Sequence, residues 1–373
     1  DPYMEEKKSG VGAPGSRAGT SPGTQRVTLK TLANHLGLSP AAVSLILNES
    51  PVADSIPQKT KDRVIQAARE LNYRPDFAAR ALRKGQSLSV GVMVSEISGG
   101  YSAGVVSGIE RTLLPAGYFG LIASHEFNHE YFSQYLELFQ DRSVDGYILV
   151  NTPVTAMPQA PAVLVSGPRQ FTQASNIVID HDRAAELAID HLVHLGHERI
   201  AFFRGPDLLP DSADRWRAIE TIAQRRGLQI SDDLVFQIGR ETQGGLYRLE
   251  EFYREGYSLG RKLAQRRSEF TALFAFNDPS AIAAMRAFHE AGIKIPDDLS
   301  VIGFDDIDSA AFHHPRLTTI RQPLEQMGAT SAELLLREMS GERVPPEQVR
   351  IEPELVIRES TAPAGPRQSS NIP

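Results

Sequence analysis

The stretch Thr28–Asn48 reads "TLKTLANHLGLSPAAVSLILN", and its punctuation decides the front of the molecule. Thr28 suits the N-cap of a helix whose Leu29, Leu32, Ala33 and Leu36 fall on one face. Gly37 ends that helix, because glycine accepts the left-handed backbone a tight turn needs. Ser39 and Pro40 then open a second helix as cap and first helical residue, with Val43, Ile46 and Leu47 inward. Ala33 is small where the two helices cross. Ala33, Gly37 and Val43 thus occupy the three diagnostic places of a helix-turn-helix. A third helix follows in "PQKTKDRVIQAARELN", with Val64, Ala67, Ala68 and Leu71 inward. Taken alone, this pattern also describes a helical hairpin with no nucleic-acid role.

Charge separates this front from the rest. Arg26–Ser87 holds ten Lys/Arg against five Asp/Glu, whereas the whole chain carries −7. A small basic head on a large acidic body is the asymmetry of a DNA-binding head joined to another domain, although it also fits a solvated charged surface. At 373 residues the chain is long enough for two or three domains. It has no cysteine, which rules out disulfides and thiolate metal sites and fits a reducing cytoplasm. No apolar run approaches a membrane span. Residues 1–25 are rich in Gly, Ser and Pro, lack the apolar core of a secretory signal and read as a disordered tail, as do residues 361–373.

From Leu88 onward, short apolar strands alternate with helical stretches. "LSVGVMVS", "YFGLIAS", "DGYILV" and "APAVLVSG" belong to one half; "HERIAFFRG", "TALFAFND" and "LSVIGFDD" belong to the other. The expected fold class is therefore an all-α helix-turn-helix head plus an α/β body of two doubly wound parallel-sheet lobes. Ligands in such lobes sit beyond the carboxyl ends of the strands. That rule selects Ser95, Tyr101 in "SGGYS", Ser166, Asp211, Arg215, Asn277, Asp278, Asp305 and Asp306. Gln322 in "TTIRQP" is counted with them. Carboxylates, an amide and an arginine in one cleft orient a polyol through paired hydrogen bonds, and Tyr101, Trp216, Phe252 or Tyr253 can cover an apolar sugar face. Each acid, taken singly, also reads as a helix cap or loop ion pair. His191, His194 and His197 in "HLVHLGHERI" lack the acid or cysteine that would complete a metal site. There is no dinucleotide fingerprint, no phosphate loop ending in Lys-Ser/Thr and no nucleophile elbow, so neither a cofactor nor an enzyme is expected.

Between head and body, "YRPDFAARALRKGQS" (residues 73–87) is a linker with a short helix that Asp76 can cap, in which Arg80, Arg83 and Lys84 flank Leu82. With this segment the chain resembles the lactose-repressor (LacI/GalR) family of bacterial regulators, from Val27 to about Ser360. The carrying motifs are the stretch quoted first, "TKDRVIQAARELNYRPDFAARAL", "HLVHLGHERIAFFRGP", "FNDPSAIAAM", "LSVIGFDD" and "PRLTTIRQP". The order of these motifs is specific where each alone is weak.

The resemblance implies a homodimer on a pseudo-palindromic operator, with hinge helices in the minor groove. Leu82 wedges into the central step and Ala79 packs on the groove, the unstacking being offset by contacts to bent DNA. It implies phosphate and base contacts from Thr28, Ser39, Pro40, Ala41, Ala42, Ser44, Leu45 and Asn48. Pro40, Ala41 and Leu45 replace longer polar readers, so shape and thymine methyls carry more of the recognition. Arg215, Asn277 and Asp305 match the family's effector-binding positions, with Ser95, Tyr101, Ser166, Asp211, Phe252 and Gln322 around them. Ser166 stands where some sugar-responsive members have an acid, and "SGGYS" replaces an Asn-Pro-aromatic stretch. The effector is expected to be a sugar or sugar derivative, with purine nucleobases next. Tyr101–Leu113 belongs to the dimer surface, and the tail lacks the leucine heptads of a tetramerisation coil. The implied division is 26–72 head, 73–87 hinge, 88–180 with 322–341 first lobe, and 181–321 with 342–360 second lobe. "NESPVADSIPQKT" reads as an inserted loop before the third helix. A periplasmic-type sugar-binding protein would share the lobes but would not carry Arg26–Ser87.

Overall fold

The computed structural model describes residues 27–48, 50–73, 86–154, 157–168, 172–239 and 249–365. Ala79 and Leu82, and with them the hinge reading, lie outside the described residues. The chain divides into two units between Gly85 and Gln86.

In the first unit, α1 (Leu29–Leu36) starts at Thr28, whose side chain accepts the Thr31 N–H, and stops at Gly37 with φ 65°. The helix α2 (Pro40–Leu47) starts at Ser39, whose side chain accepts the Ala42 N–H. α3 (Gln58–Glu70) closes the unit over a core of Leu32, Ala33, Val43, Ile46, Val64 and Ala67. The stretch before α3 is a 3₁₀ turn, Pro51–Ser55, that contributes buried Ala53 to this core. It is therefore part of the packed head, although the stretch "NESPVADSIPQKT" reads as an inserted loop.

The second unit holds two sheets. β1 (Ser89–Val94), β2 (Phe119–Ser124), β3 (Gly146–Val150), β4 (Ala162–Val165) and β5 (Asn176–Ile179) build the first, interleaved with α4 (Gly100–Leu113) and α5 (His129–Asp141). The chain then enters the second lobe through α6 (His181–His194), β6 (Ile200–Arg204), α7 (Ser212–Arg225), β7 (Val235–Gln237), α8 (Leu249–Ala264), β8 (Ala272–Phe274), α9 (Asp278–Glu290), β9 (Ser300–Asp305), α10 (Asp308–Phe312) and β10 (Thr318–Arg321). It returns as α11 (Leu324–Met339) and β11 (Gln348–Ile351), and crosses again to β12 (Glu354–Val356).

The sheet orders are β11-β5-β4-β3-β1-β2 and β12-β10-β9-β8-β6-β7. All pairs are parallel except β10 with β12. β1, β3 and β4 are buried along their whole length, as strands covered on both faces must be. One expected boundary needs correction: Gln348–Ile351 pairs with β5 in the first sheet, whereas 342–360 was assigned to the second lobe. The last crossing therefore comes after Ile351. On the first lobe, α4 and α11 meet backbone to backbone. A Cβ on Gly108 would lie 2.0 Å from the Glu325 carbonyl oxygen, and one on Gly328 would lie 2.0 Å from that of Val105.

Candidate functional site

The cleft forms where strands of both sheets end. Its first-lobe wall comes from the residues after β1, β2 and β3, and its second-lobe wall from those after β6, β8 and β9. About 600 Å³ of space, continuous with open solvent, lies between them. Gly100 is where the lobes nearly touch, since a Cβ there would lie 2.7 Å from Ile307.

Ser95, Tyr101, Asp211, Arg215, Phe252, Asn277, Asp305 and Gln322 all line this space. Ser166 does not line it. Its hydroxyl shares a 2.8 Å hydrogen bond with the Tyr101 hydroxyl, so it orients that ring from behind. Burial first, then the charge on Asp211, hold the Tyr101 phenol well above its ordinary range, so it stays neutral.

Arg215 is buried and extensively engaged. Its guanidinium lies 3.8 Å from the centre of the Phe304 ring and 4.6 Å from that of Phe276. Nη1 donates to the Phe276 carbonyl at 2.8 Å and Nη2 to Asp211 at 3.2 Å. Asp211 also lies 3.6 Å from Nε2 of buried His181, at the crossing into α6. Asn277 caps α9, its Oδ1 accepting the Ser280 N–H at 3.0 Å. Asp305, at φ 113°, ends β9 and accepts a 2.7 Å bond from Gln322 Nε2. Burial pushes its carboxyl up to about 7, against the opposing pull of Arg215 and Gln322. Gln322 Oε1 is buried without a hydrogen-bond partner.

Several candidates serve the scaffold instead. Asp278 is fully buried, accepts from Thr319 Oγ1 at 2.6 Å and the Ile307 N–H at 2.9 Å, and its carboxyl is held well above the usual range by burial and by Asp305. Asp306 is bound by Arg321 and Arg358. Trp216 packs edge-on against Phe202, 5.8 Å away, and Tyr253 does not line the cleft. His191 meets Thr361, His194 meets the Asp190 carbonyl, and His197 bridges Thr271 and the Ala362 carbonyl. Two of these three histidines pin the chain's last described segment.

The cleft also contains Glu96, Phe127, Asn151 and Phe276, which the sequence reading missed. Applying the strand-end rule to every strand would have found them: Glu96 follows β1, Asn151 follows β3 and Phe276 follows β8. Phe276 stacks on Phe252 at 6.0 Å and 17°, giving the cleft an aromatic wall.

In the head, Ser39, Pro40, Ala41 and Asn48 are exposed, while Ala42, Ser44 and Leu45 are half-buried. Thr28 and Ser39 act as caps, and Leu45 is shared with the core. Asn48 Nδ2 folds back onto the Ser44 carbonyl at 2.5 Å.

Comparison with known proteins agrees with both units. The model for bacterial regulatory proteins of the lacI family matches residues 28–76, and that for a periplasmic binding protein-like domain matches residues 189–361. The HTH-type transcriptional repressor PurR of Histophilus somni (strain 129Pt) is 29% identical over 343 residues, spanning 89% of this chain and 98% of the relative. A Lac repressor dimer bound to operator and an anti-inducer superposes with a TM-score of 0.79 at 26% identity, covering 91% of this chain and all of that one. The transcriptional regulator CelR, in complex with cellobiose, gives 0.66 at 26% identity over 89% of this chain and 99% of its own.

Proposed function

We propose that the chain is a LacI-family regulator, a homodimeric repressor whose operator affinity is set by a small molecule held between its lobes. One observation carries the reading. A capped helix-turn-helix head and a cleft gathering Asp211, Arg215, Asn277, Asp305 and Gln322 occur in a single chain.

The exposed part of α2 bears small and apolar groups, so it reads thymine methyls and groove shape more than base-edge donors and acceptors. Backbone phosphates supply much of the affinity, which makes binding strongly salt-dependent. Leu82 of each hinge is the wedge at the operator centre. A second copy docks beside Tyr101–Leu113, where Leu114 and, on edge strand β2, Phe119 and Ile122 are exposed. The effector is a sugar or sugar derivative, the class to which CelR's cellobiose belongs. The aromatic wall of Phe252 and Phe276 and the acids opposite suit its apolar and hydroxylated faces. Such a ligand shifts lobe arrangement, and through it hinge spacing, by its difference in affinity for the two arrangements. The protein performs no chemistry, needs no cofactor and works in the cytoplasm, where its operator is. The head, hinge and lobes divide as 26–72, 73–87, 88–180 with 322–351, and 181–321 with 352–360.

The test is selection of binding sites by the full chain from random duplexes at fixed salt, with and without a bacterial metabolite extract. A palindrome with a flexible pyrimidine–purine step at its centre is expected. Absence of any enriched site under both conditions would sink the reading.

A further inference from the structure

We infer that the cleft selects a ligand that is neutral or cationic and rich in hydrogen-bond donors, and that it turns away phosphorylated and carboxylated molecules. The inference rests on the cleft being the effector site.

The cation there is already paired with Asp211, and of its nitrogens only buried Nε lacks a partner. Arg215 is the one Lys or Arg among the described residues lining the cleft, and its two terminal nitrogens already donate to the Phe276 carbonyl and to Asp211. Both aromatic contacts fix its plane. Against it stand the carboxyls of Glu96, Asp211 and Asp305.

Helix N-termini are the other usual anion sites, since their free N–H groups and dipole favour negative charge. Of the helices that start at this cleft, α4 and α9 already have donors at their starts turned to an internal oxygen. At α4, Glu96 Oε2 accepts the Gly99 N–H at 2.6 Å and the Ser98 hydroxyl at 3.1 Å, while Oε1 accepts the Ser102 hydroxyl at 3.2 Å. At α9, Asn277 Oδ1 takes the Ser280 N–H, and buried Asp278 is the first helical residue. At α7, Asp211 stands at the cap position with its carboxylate turned to Arg215 and no side-chain hydrogen bond to the helix start. An incoming phosphate at α4 or α9 would have to displace one of these oxygens, and at α7 it would meet the Asp211 carboxylate.

What the cleft lacks is donors to its own oxygens. Gln322 Oε1 and Asn151 Oδ1 are buried with no hydrogen-bond partner, although such atoms are nearly always satisfied. Both residues line the cleft, one at the crossing and one on the first-lobe wall. Hydroxyl or ammonium hydrogens satisfy these acceptors together with Asp305, whereas a phosphate or carboxylate adds more acceptors. The Asp305 carboxyl sits high because burial outweighs what Arg215 and Gln322 offer it.

The test uses the full chain, its selected operator duplex and an ultrafiltered metabolite extract passed over an anion-exchange column. Operator affinity is measured at equal ionic strength with the unretained fraction and with the salt-eluted, desalted one. The expected result is a change of tenfold or more with the unretained fraction and none with the retained fraction. Activity in the retained fraction, alone or alongside, overturns the inference. If neither fraction alters operator affinity, the effector reading itself fails and the inference falls with it.

Discussion

Replacing Asp305 by asparagine is expected to stabilise the body at high pH and to leave it unchanged in acid. The carboxyl ionises near 3.8 when free but near 7 in the fold, chiefly because it is buried. Between those values the folded chain holds a proton that the unfolded chain has lost, so stability falls as pH rises through that window. At 1.36 kcal/mol per pH unit, the whole loss above pH 7 is ~4 kcal/mol. Asparagine cannot ionise, keeps an oxygen for Gln322, and is among the non-glycine residues that best tolerate positive φ, here 113°. The gain of Asp305→Asn over the natural chain therefore grows from about zero at pH 4 to ~4 kcal/mol at pH 8. The assay is urea unfolding at a series of pH values, followed by fluorescence of Trp216, the only tryptophan, which packs in the same lobe. The urea slope should not change. Asp278, whose carboxyl burial and Asp305 hold high, loses the repulsion of Asp305 in the variant, which adds to the gain at high pH; groups away from this pair act alike in both proteins and cancel. A gain that is uniform across pH, or largest in acid, would refute the electrostatic argument. The accompanying loss of effector response is the usual conflict between stability and a strained binding site.

Three further outcomes are expected. Burial lowers the His125 imidazole to about 4 from 6.5, so its contribution to stability is lost as pH falls through that interval, by ~3 kcal/mol; His125→Gln should remove this part of the acid sensitivity, and an unchanged pH dependence of the urea midpoint would contradict it. Gly108→Ala puts a methyl against the Glu325 carbonyl and should destabilise the body by roughly 3 kcal/mol at unchanged urea slope, whereas a tolerated alanine would mean that α4 and α11 can separate freely. Leu82→Ala should weaken specific operator binding by roughly 2 kcal/mol, well beyond the effect of Ala41→Gly in the same titration; equal, small effects would argue against the wedge.

The parts of this molecule legible from sequence are those fixed by local rules. Thr28, Gly37 and Ser39 act within three residues of themselves, and each does in the fold what its chemistry suggests. The strand-end rule found six cleft residues for the same reason, since a strand's carboxyl end is local information. What escaped depends on distant partners. Nothing near Trp216 says that its ring turns into the second-lobe core while Phe276, sixty residues on, faces the cleft. Asp278 and Asp306 have the same local claim as Asn277 and Asp305, and only the positions of Thr319, Arg321 and Arg358 separate scaffold from site. The β11 boundary was missed because a four-residue strand with exposed Gln348 and Arg350 carries too little apolar pattern to declare its sheet.

Those distant partners explain how occupancy of the cleft can be felt at the crossings. β9 ends at Asp305, with φ 113°, and Asp306 just beyond it also has positive φ, 58°. Asp305 faces the cleft and holds Gln322; Asp306 holds Arg321 at 2.7 Å and Arg358 at 2.5 Å. Arg321 and Gln322 end β10 and open the second crossing, and Arg321 also binds Glu354 on β12, just past the third. A ligand that offers a donor to Asp305 competes with Gln322, and so acts on a residue of the connecting strand itself. Asp305, held near 7, takes both forms near neutral pH, and a hydrogen bond contributes about 0.5–1.5 kcal/mol to the neutral acid and about 1.5–3 kcal/mol to the carboxylate. Coupling between sites is typically about 1–3 kcal/mol. Making that one bond in one lobe arrangement and yielding it in the other is thus sufficient in size, without any path of small displacements through the lobe cores. The buried, strained acid is a poor choice for stability, and its position at the crossing is the reason to keep it.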